Sequence, residues 1–177
     1  PIKIFYAGLL GIAQGVAALC KKIDLSNVNT ELHIFGDGAE KAEIEAFVLN
    51  NKHSKIVFHG MMERNQLHNT LTTFDIALVP LKTRIYGSVP SKIFEYSALG
   101  FPILYFAGGE GEQVVQEHEL GWVVPVENYT QLNIKLKEIS TWNKERIHQK
   151  KKQVLITATK NFNLQLQIKN LIAQNVF

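Results

Sequence analysis

Short apolar runs alternate with helical segments along most of this chain, and that alternation limits the fold more than any other feature. Ile2 to Ala7 is a β-rich run that stops at Gly8 and Gly11, and Gly15 to Ile23 follows with apolar residues at helical spacing. Glu31 to Phe35 repeats the unit, stopping at Gly36-Asp37-Gly38 ahead of a helical Glu40 to Leu49 with Ala42, Ile44, Ala46, Phe47 and Leu49 at its apolar positions. Lys55 to Phe58, closed by His59-Gly60, precedes a brief helix from Asn65 to Leu71 in which Leu67 and Leu71 face inward. Asp75 to Pro80 carries the unbroken apolar stretch of a strand covered on both faces. Pro102 to Phe106 is a fifth strand, Glu112 to His118 a helix and Trp122 to Val124 a sixth strand.

Strands that alternate with helices predict an α/β fold, a Rossmann-like doubly wound parallel sheet of about six strands with helices on both faces. Its ligand belongs at the carboxyl ends of the strands. Gly8, Gly11, Gly36, Gly38, Gly60, Gly87, Gly108 and Gly109 all fall there, where glycine serves either close approach to a ligand or a tight turn. From Thr130 the chain is helical and polar, with Leu132, Leu136 and Ile139 as one apolar stripe. Asn143 to Thr159 carries Lys144, Arg146, Lys150, Lys151 and Lys152, which read as a solvated basic face. Phe162 to Phe177 fits both periods and is assigned to a helix, which divides the chain into a domain over 1–160 and a carboxyl-terminal helix over 161–177.

Composition removes several classes of function. The 177 residues, 46% of them hydrophobic, suffice for one real core, and a formal charge of +3 is too modest for a nucleic-acid binder. Cys20 is the only cysteine, so the chain has neither a disulfide framework nor a thiolate metal cluster, and a reducing, cytoplasmic setting is expected. No apolar run approaches the roughly 20 residues of a membrane span. The chain opens on Pro1 and runs straight into a strand, so a piece of a longer protein is expected.

The stretch Gly87 to Gly100 carries the chemistry. Pro90 and Ser91 stand where a helix begins, with serine expected to cap the free amides, and Gly100 stands where it ends. Lys92 and Glu95 are three apart, on one face near the helix's amino end, where free N–H groups and the dipole favour an anion. Lysine suits a phosphate, and a carboxylate one turn on can accept from two ribose hydroxyls; an ordinary surface ion pair is the alternative. The sequence has no Asp-x-Asp pair and no cluster with metal spacing, so no divalent ion and no other cofactor is expected. Among the histidines only His59, at a strand's carboxyl end, is a candidate for touching a ligand. Glu110 and Glu112 either contact ribose or donor sugar or start the next helix, where acids offset its dipole.

Three segments together carry a resemblance: Tyr6-Ala7-Gly8-Leu9-Leu10-Gly11-Ile12-Ala13-Gln14-Gly15, Ile34-Phe35-Gly36-Asp37-Gly38-Ala39-Glu40, and Val89-Pro90-Ser91-Lys92-Ile93-Phe94-Glu95-Tyr96 with Gly100-Phe101-Pro102. In this order they resemble the carboxyl-terminal, donor-binding half of a retaining glycosyltransferase of family four, with the GT-B fold, and are similar to the bacterial transferases that build capsule, exopolysaccharide or O-antigen. The resemblance implies that Glu95 binds ribose and that Lys92, with the backbone after Gly87 at Ser88, Val89 and Ser91, holds the diphosphate. It implies that Gly8, Gly11 and Gln14 of the first loop and Gly36 and Gly38 of the second lie against the donor, and that the turn at Gly60, Met61 and Met62 borders the base. Where many members have an arginine and a lysine in the first loop this chain has Leu9 and Gln14, leaving Lys92 and Arg84 as the available cations, and Gly87 stands where many have a second glutamate on the sugar.

The implied function is transfer of a hexose from a nucleotide diphosphate sugar, UDP-linked, to a glycan or lipid-linked acceptor in bacterial surface polysaccharide synthesis. The acceptor would be held by an amino-terminal half outside this chain, so the chain alone is expected to bind donor without turnover. A sugar-nucleotide epimerase of the same fold and a non-catalytic nucleotide-binding module are the rival readings. No nucleic acid is expected as a partner, and peripheral association of a longer protein with the inner face of the bacterial membrane stays open.

Overall fold

The computed structural model describes residues 1–84 and 86–163. The six apolar runs are strands β1 (Ile2–Ala7), β2 (Thr30–Phe35), β3 (Ile56–Gly60), β4 (Ile76–Pro80), β5 (Ile103–Phe106) and β6 (Gly121–Val124). They form one sheet in the order β3-β2-β1-β4-β5-β6, every pairing parallel. Between them run α1 (Val16–Lys22), α2 (Lys41–Asn50), α3 (Arg64–Leu71), α4 (Ser91–Ala98) and α5 (Glu110–Glu117), and α6 (Tyr129–Ser140) and α7 (Lys144–Phe162) follow β6. The doubly wound α/β fold read from the alternation is therefore the fold of the molecule.

The strand order reverses between β1 and β4, which pair through Ile4 with Ile76 and Phe5 with Ala77. At such a switch point the connections leave the sheet in opposite directions and open a crevice at the strands' carboxyl ends. Strand side chains alternate between two cores. Ile4, Tyr6, Leu32, Ile34 and Leu78 pack with α1 and α6, and Phe5, Phe35, Ala77, Val79 and Tyr105 pack on the other face with Ile93, Tyr96 and Val154. Phe5 sits in an aromatic cluster, edge-on to Phe74, Tyr96 and Phe101 at 5.0–5.7 Å. This cluster fixes α4 against the strand whose end forms the site.

Three expectations change in the folded chain. Helix α5 begins at Glu110, two residues early, because Gly109 at φ +92° turns the chain into it. Leu49 of α2 is exposed and Ile44 is the helix's fully buried residue, so the helix docks through Ile44 with Phe47 and Val48 partly buried against the same core. The basic run of α7 is more than a solvated face. Lys150 donates to the Glu119 carbonyl at 2.7 Å, while Lys151 donates to the Phe74 carbonyl at 2.7 Å and lies over the Phe101 ring. Both ammonium groups are half-buried, and burial pulls their pKa values down. These lysines tie α7 to the rest of the fold. Phe162 at the end of α7 packs edge-on against Phe94 of α4, and the helix expected over 161–177 lies almost wholly outside the described residues. Among the described residues no helix is long and apolar enough to cross a membrane.

Candidate donor site

The loops that follow β1 and β2 are joined backbone to backbone. Gly8 N–H donates to the Phe35 carbonyl at 3.0 Å, Leu10 N–H to Asp37 at 2.9 Å and Gly36 N–H to Gly60 at 2.8 Å. A Cβ at Gly36 would lie 1.9 Å from the Gly8 oxygen on a backbone at φ +146°, so only glycine fits. Gly36 and Gly38 thus give the first loop room to dock, and neither is among the residues lining the two clefts around Lys92.

Two clefts open at the switch point, and Lys92 is in the wall of both. The larger, about 400 Å³, lies between α3 and α4 over Ala7 and Gly8, with Arg64, Leu67, His68 and Leu71 on one side and Lys92, Glu95, Tyr96 and Leu99 on the other. The smaller, about 260 Å³, is bounded by Leu9 and Gln14 of the first loop, Pro80 and Leu81 after β4, and Ser88, Pro90 and Ser91 at the start of α4. Beneath Gly8 sit two buried tyrosines. Tyr6 donates to the Leu9 carbonyl at 2.5 Å, Tyr96 donates to the Ala7 carbonyl at 2.7 Å, and the Lys92 ammonium donates to the Tyr96 hydroxyl at 3.3 Å. A Cβ at Gly8 would come within 2.8 Å of Lys92 Cε, so the glycine keeps that lysine where it is. Burial holds the Tyr6 and Tyr96 hydroxyls far above the usual tyrosine range, reinforced by Glu40 at Tyr6 and by Tyr6 and Glu95 at Tyr96. Both are therefore protonated donors at neutral pH.

The amino ends of α1 and α4 differ in what meets their free amides. At α1, the Glu40 carboxylate accepts from Ala17 N–H at 3.0 Å and is itself buried. Lys82 Nζ lies 3.9 Å from Glu40, its stem packed over Gly15. At α4 the cap position is Pro90, and Ser91 does not cap: its hydroxyl donates to Glu95 at 2.8 Å, because Ser91 stands one residue inside the helix, four before Glu95. Among the described residues no side chain accepts from the Ser91 or Lys92 amides.

The remaining expected residues are spread around this centre. Gly87 N–H donates to Glu110 at 2.9 Å, and Arg84 packs over Gly108 and lies 3.8 Å from Glu112, so both acids of α5 face the loop that leads into α4. Gly11 is covered by the Gln14 side chain, whose Oε1 is buried without a hydrogen-bond partner among the described residues. Val89 and Met62 pack against the core below, and Gly60 and Gly87 have open space where a Cβ would project. His59 lines neither cleft; its ring bonds to His33 at 2.9 Å and stacks on Phe35. Sequence reasoning missed Arg64 and His68, which line the larger cleft, as well as Tyr6, Tyr96, Glu40 and Lys82. The spacing of Arg64 and His68, four apart on the helix that carries Leu67 and Leu71, was the available signal.

Residues 1–141 match the family model of the glycosyl transferases group 1. The chain belongs to that family. Over 124 residues it is 27% identical to a probable glycosyltransferase, WbjE, of Pseudomonas aeruginosa, a match that takes in 68% of this chain and 31% of that protein. Its fold is similar to that of WaaG, a glycosyltransferase involved in lipopolysaccharide biosynthesis, with a TM-score of 0.72 at 18% identity over 99% of this chain and 47% of WaaG. HepE of Anabaena, solved with UDP and glucose, gives a TM-score of 0.72 at 13% identity over 98% of this chain and 48% of that one. The chain thus spans about a third to a half of these relatives.

Proposed function

We propose that this chain is the donor-binding half of a glycosyltransferase that moves a hexose from a nucleotide diphosphate sugar to a glycan or lipid-linked acceptor. One observation carries the reading: two clefts meet at Lys92, at the switch point, beside a helix end whose first amides have no side-chain partner. Nucleoside suits the larger cleft, with Leu67, Leu71 and Leu99 offering apolar surface to the base and Glu95 a carboxylate to the ribose hydroxyls. The diphosphate then spans Lys92 and the Ser91 and Lys92 amides, and the sugar lies toward the smaller cleft. As the glycosidic bond breaks, charge accumulates on the departing diphosphate, and a cation at a helix amino end stabilises it without a metal ion.

UDP is the nucleotide of the similar HepE structure, and bacterial surface polysaccharide is the product class suggested by WaaG and by the sequence resemblance. Retention of configuration follows the same resemblance. The acceptor-side groups belong to an amino-terminal half, so the domain over 1–160 is expected to bind and not to turn over, and a longer protein would work on the cytoplasmic side of the membrane. The test is calorimetric titration with UDP, GDP, TDP and UMP, with and without magnesium. Micromolar, metal-independent binding of one diphosphate, much weakened for its monophosphate, is the expected result, and equal affinity for both would contradict the proposal. Joining the chain to its upstream half and assaying sugar transfer separates an enzyme from a binding module.

A further inference from the structure

The hydroxyl of Tyr96 has one proton, and that proton is committed to the Ala7 carbonyl at 2.7 Å. Its oxygen therefore meets Lys92 Nζ, 3.3 Å away, only as an acceptor. An ammonium group has three protons, so this bond fixes one of them and leaves two directed away from the tyrosine, while Gly8 packs against the lysine stem from the other side. The ring of Tyr96 is locked in turn, edge-on to Phe5 at 5.1 Å and almost fully buried. A long lysine side chain is normally free among many rotamers, and a cation held in one place spends less ordering entropy when an anion arrives.

We propose that Tyr96 is a positioning residue that aims the Lys92 ammonium at the diphosphate of the nucleotide, through a relay from the Ala7 carbonyl to the Tyr96 hydroxyl to Lys92. The first loop offers Leu9 and Gln14 in place of cations, so how well Lys92 is held bears directly on the diphosphate. Tyr6 braces the far side of the same turn by donating to Leu9. The inference rests on the donor-site reading above and deepens it.

The test compares UDP and UMP affinities by calorimetry for the wild-type chain and for Tyr96→Phe, Tyr105→Phe and Lys92→Met. Tyr105 is a matched control, since its buried hydroxyl also donates to a backbone carbonyl, that of Gly108 at 3.2 Å, but among the described residues no lysine donates to it. In the wild type UDP should bind more tightly than UMP. In Tyr96→Phe that preference should shrink roughly 5- to 30-fold, the worth of one charge-assisted contact, with UMP affinity retained. Tyr105→Phe should keep the preference, and Tyr96→Phe added to Lys92→Met should remove nothing further from it. A Tyr96→Phe chain that keeps the full preference, or that loses UDP and UMP binding together, overturns the inference by making Tyr96 structural only. A wild type without any preference for UDP overturns the donor-site reading instead.

Discussion

Helices α1 and α4 both begin at the carboxyl end of a central strand, and both present free amides at the switch point, yet only one is open to a ligand. At α1 the chain supplies its own anion, the buried Glu40 carboxylate on Ala17 N–H, with Lys82 close by. At α4 the Glu95 carboxylate lies further along the helix and is bonded to Ser91, no side chain among the described residues caps the first amides, and Ser91 and Lys92 line the smaller cleft. A glycine-rich first loop ahead of a helix therefore does not by itself make a phosphate site. What decides is whether a neighbouring loop brings an acid to that helix, and here the turn after β2 does. The α1 side should accordingly govern stability, and the α4 side binding.

The strongest way to break this division is Gly36→Ala. Its Cβ would collide with the Gly8 carbonyl on a backbone that disfavours any side chain, so a loss on the order of 3 kcal/mol is expected in denaturant unfolding. An unchanged midpoint would show that the two loops are not held as described. Lys92→Met should act in the opposite sense, lowering diphosphate affinity by about 1.5–3 kcal/mol while leaving the melting temperature near that of the wild type. Glu95→Ala should weaken nucleotide binding by a similar or smaller amount, and for UMP as much as for UDP, if it holds ribose; calorimetry on both nucleotides reads this directly. Glu40→Ala leaves a buried helix amide without its acceptor, so about 1–2 kcal/mol of stability should go, with UDP affinity within about twofold of wild type. A large affinity loss there would move the phosphate site back to α1.

The smallest effect is a pH dependence away from both ends. Burial holds His33 and His59 below the ordinary histidine value of 6.5, with Glu31 opposing the shift at His33 and His33 adding to it at His59. The native state therefore favours the neutral rings, and below pH 6.5 the unfolded chain binds more protons than the folded one. Stability is complete above that pH and declines as pH falls through the window beneath it. Because the rings bond each other at 2.9 Å, they titrate as a pair. Thermal melts from pH 7.5 to 5.5 should fall by roughly a few degrees more for the wild type than for His59→Asn.

Much of the fold was legible because it depends on local pattern. Strand runs end in glycine, and the helices carry apolar stripes. Lys92 and Glu95 were legible for the same reason, three apart just inside a helix announced by Pro90. The unread parts depend on topology. Tyr96 reaches Ala7 across 89 positions and Glu40 reaches Ala17 across 23, and neither contact has a local signature. Ser91 was misjudged by one position, since Pro90 takes the cap and turns the serine toward Glu95. Gly36 and Gly38 lie at strand ends like ligand-facing glycines, but the docked loop after β1 already occupies their open side.

The most direct measurement of the contrast between the two helix ends is amide NMR on the labelled chain during titration with UDP. The Ser91, Lys92 and Gly8 amide resonances should shift with the nucleotide, while Val16 and Ala17, with their helix end closed by Glu40, should stay in place. Shifts concentrated at Val16 and Ala17, with Ser91 and Lys92 unmoved, would contradict the account and assign the phosphates to α1.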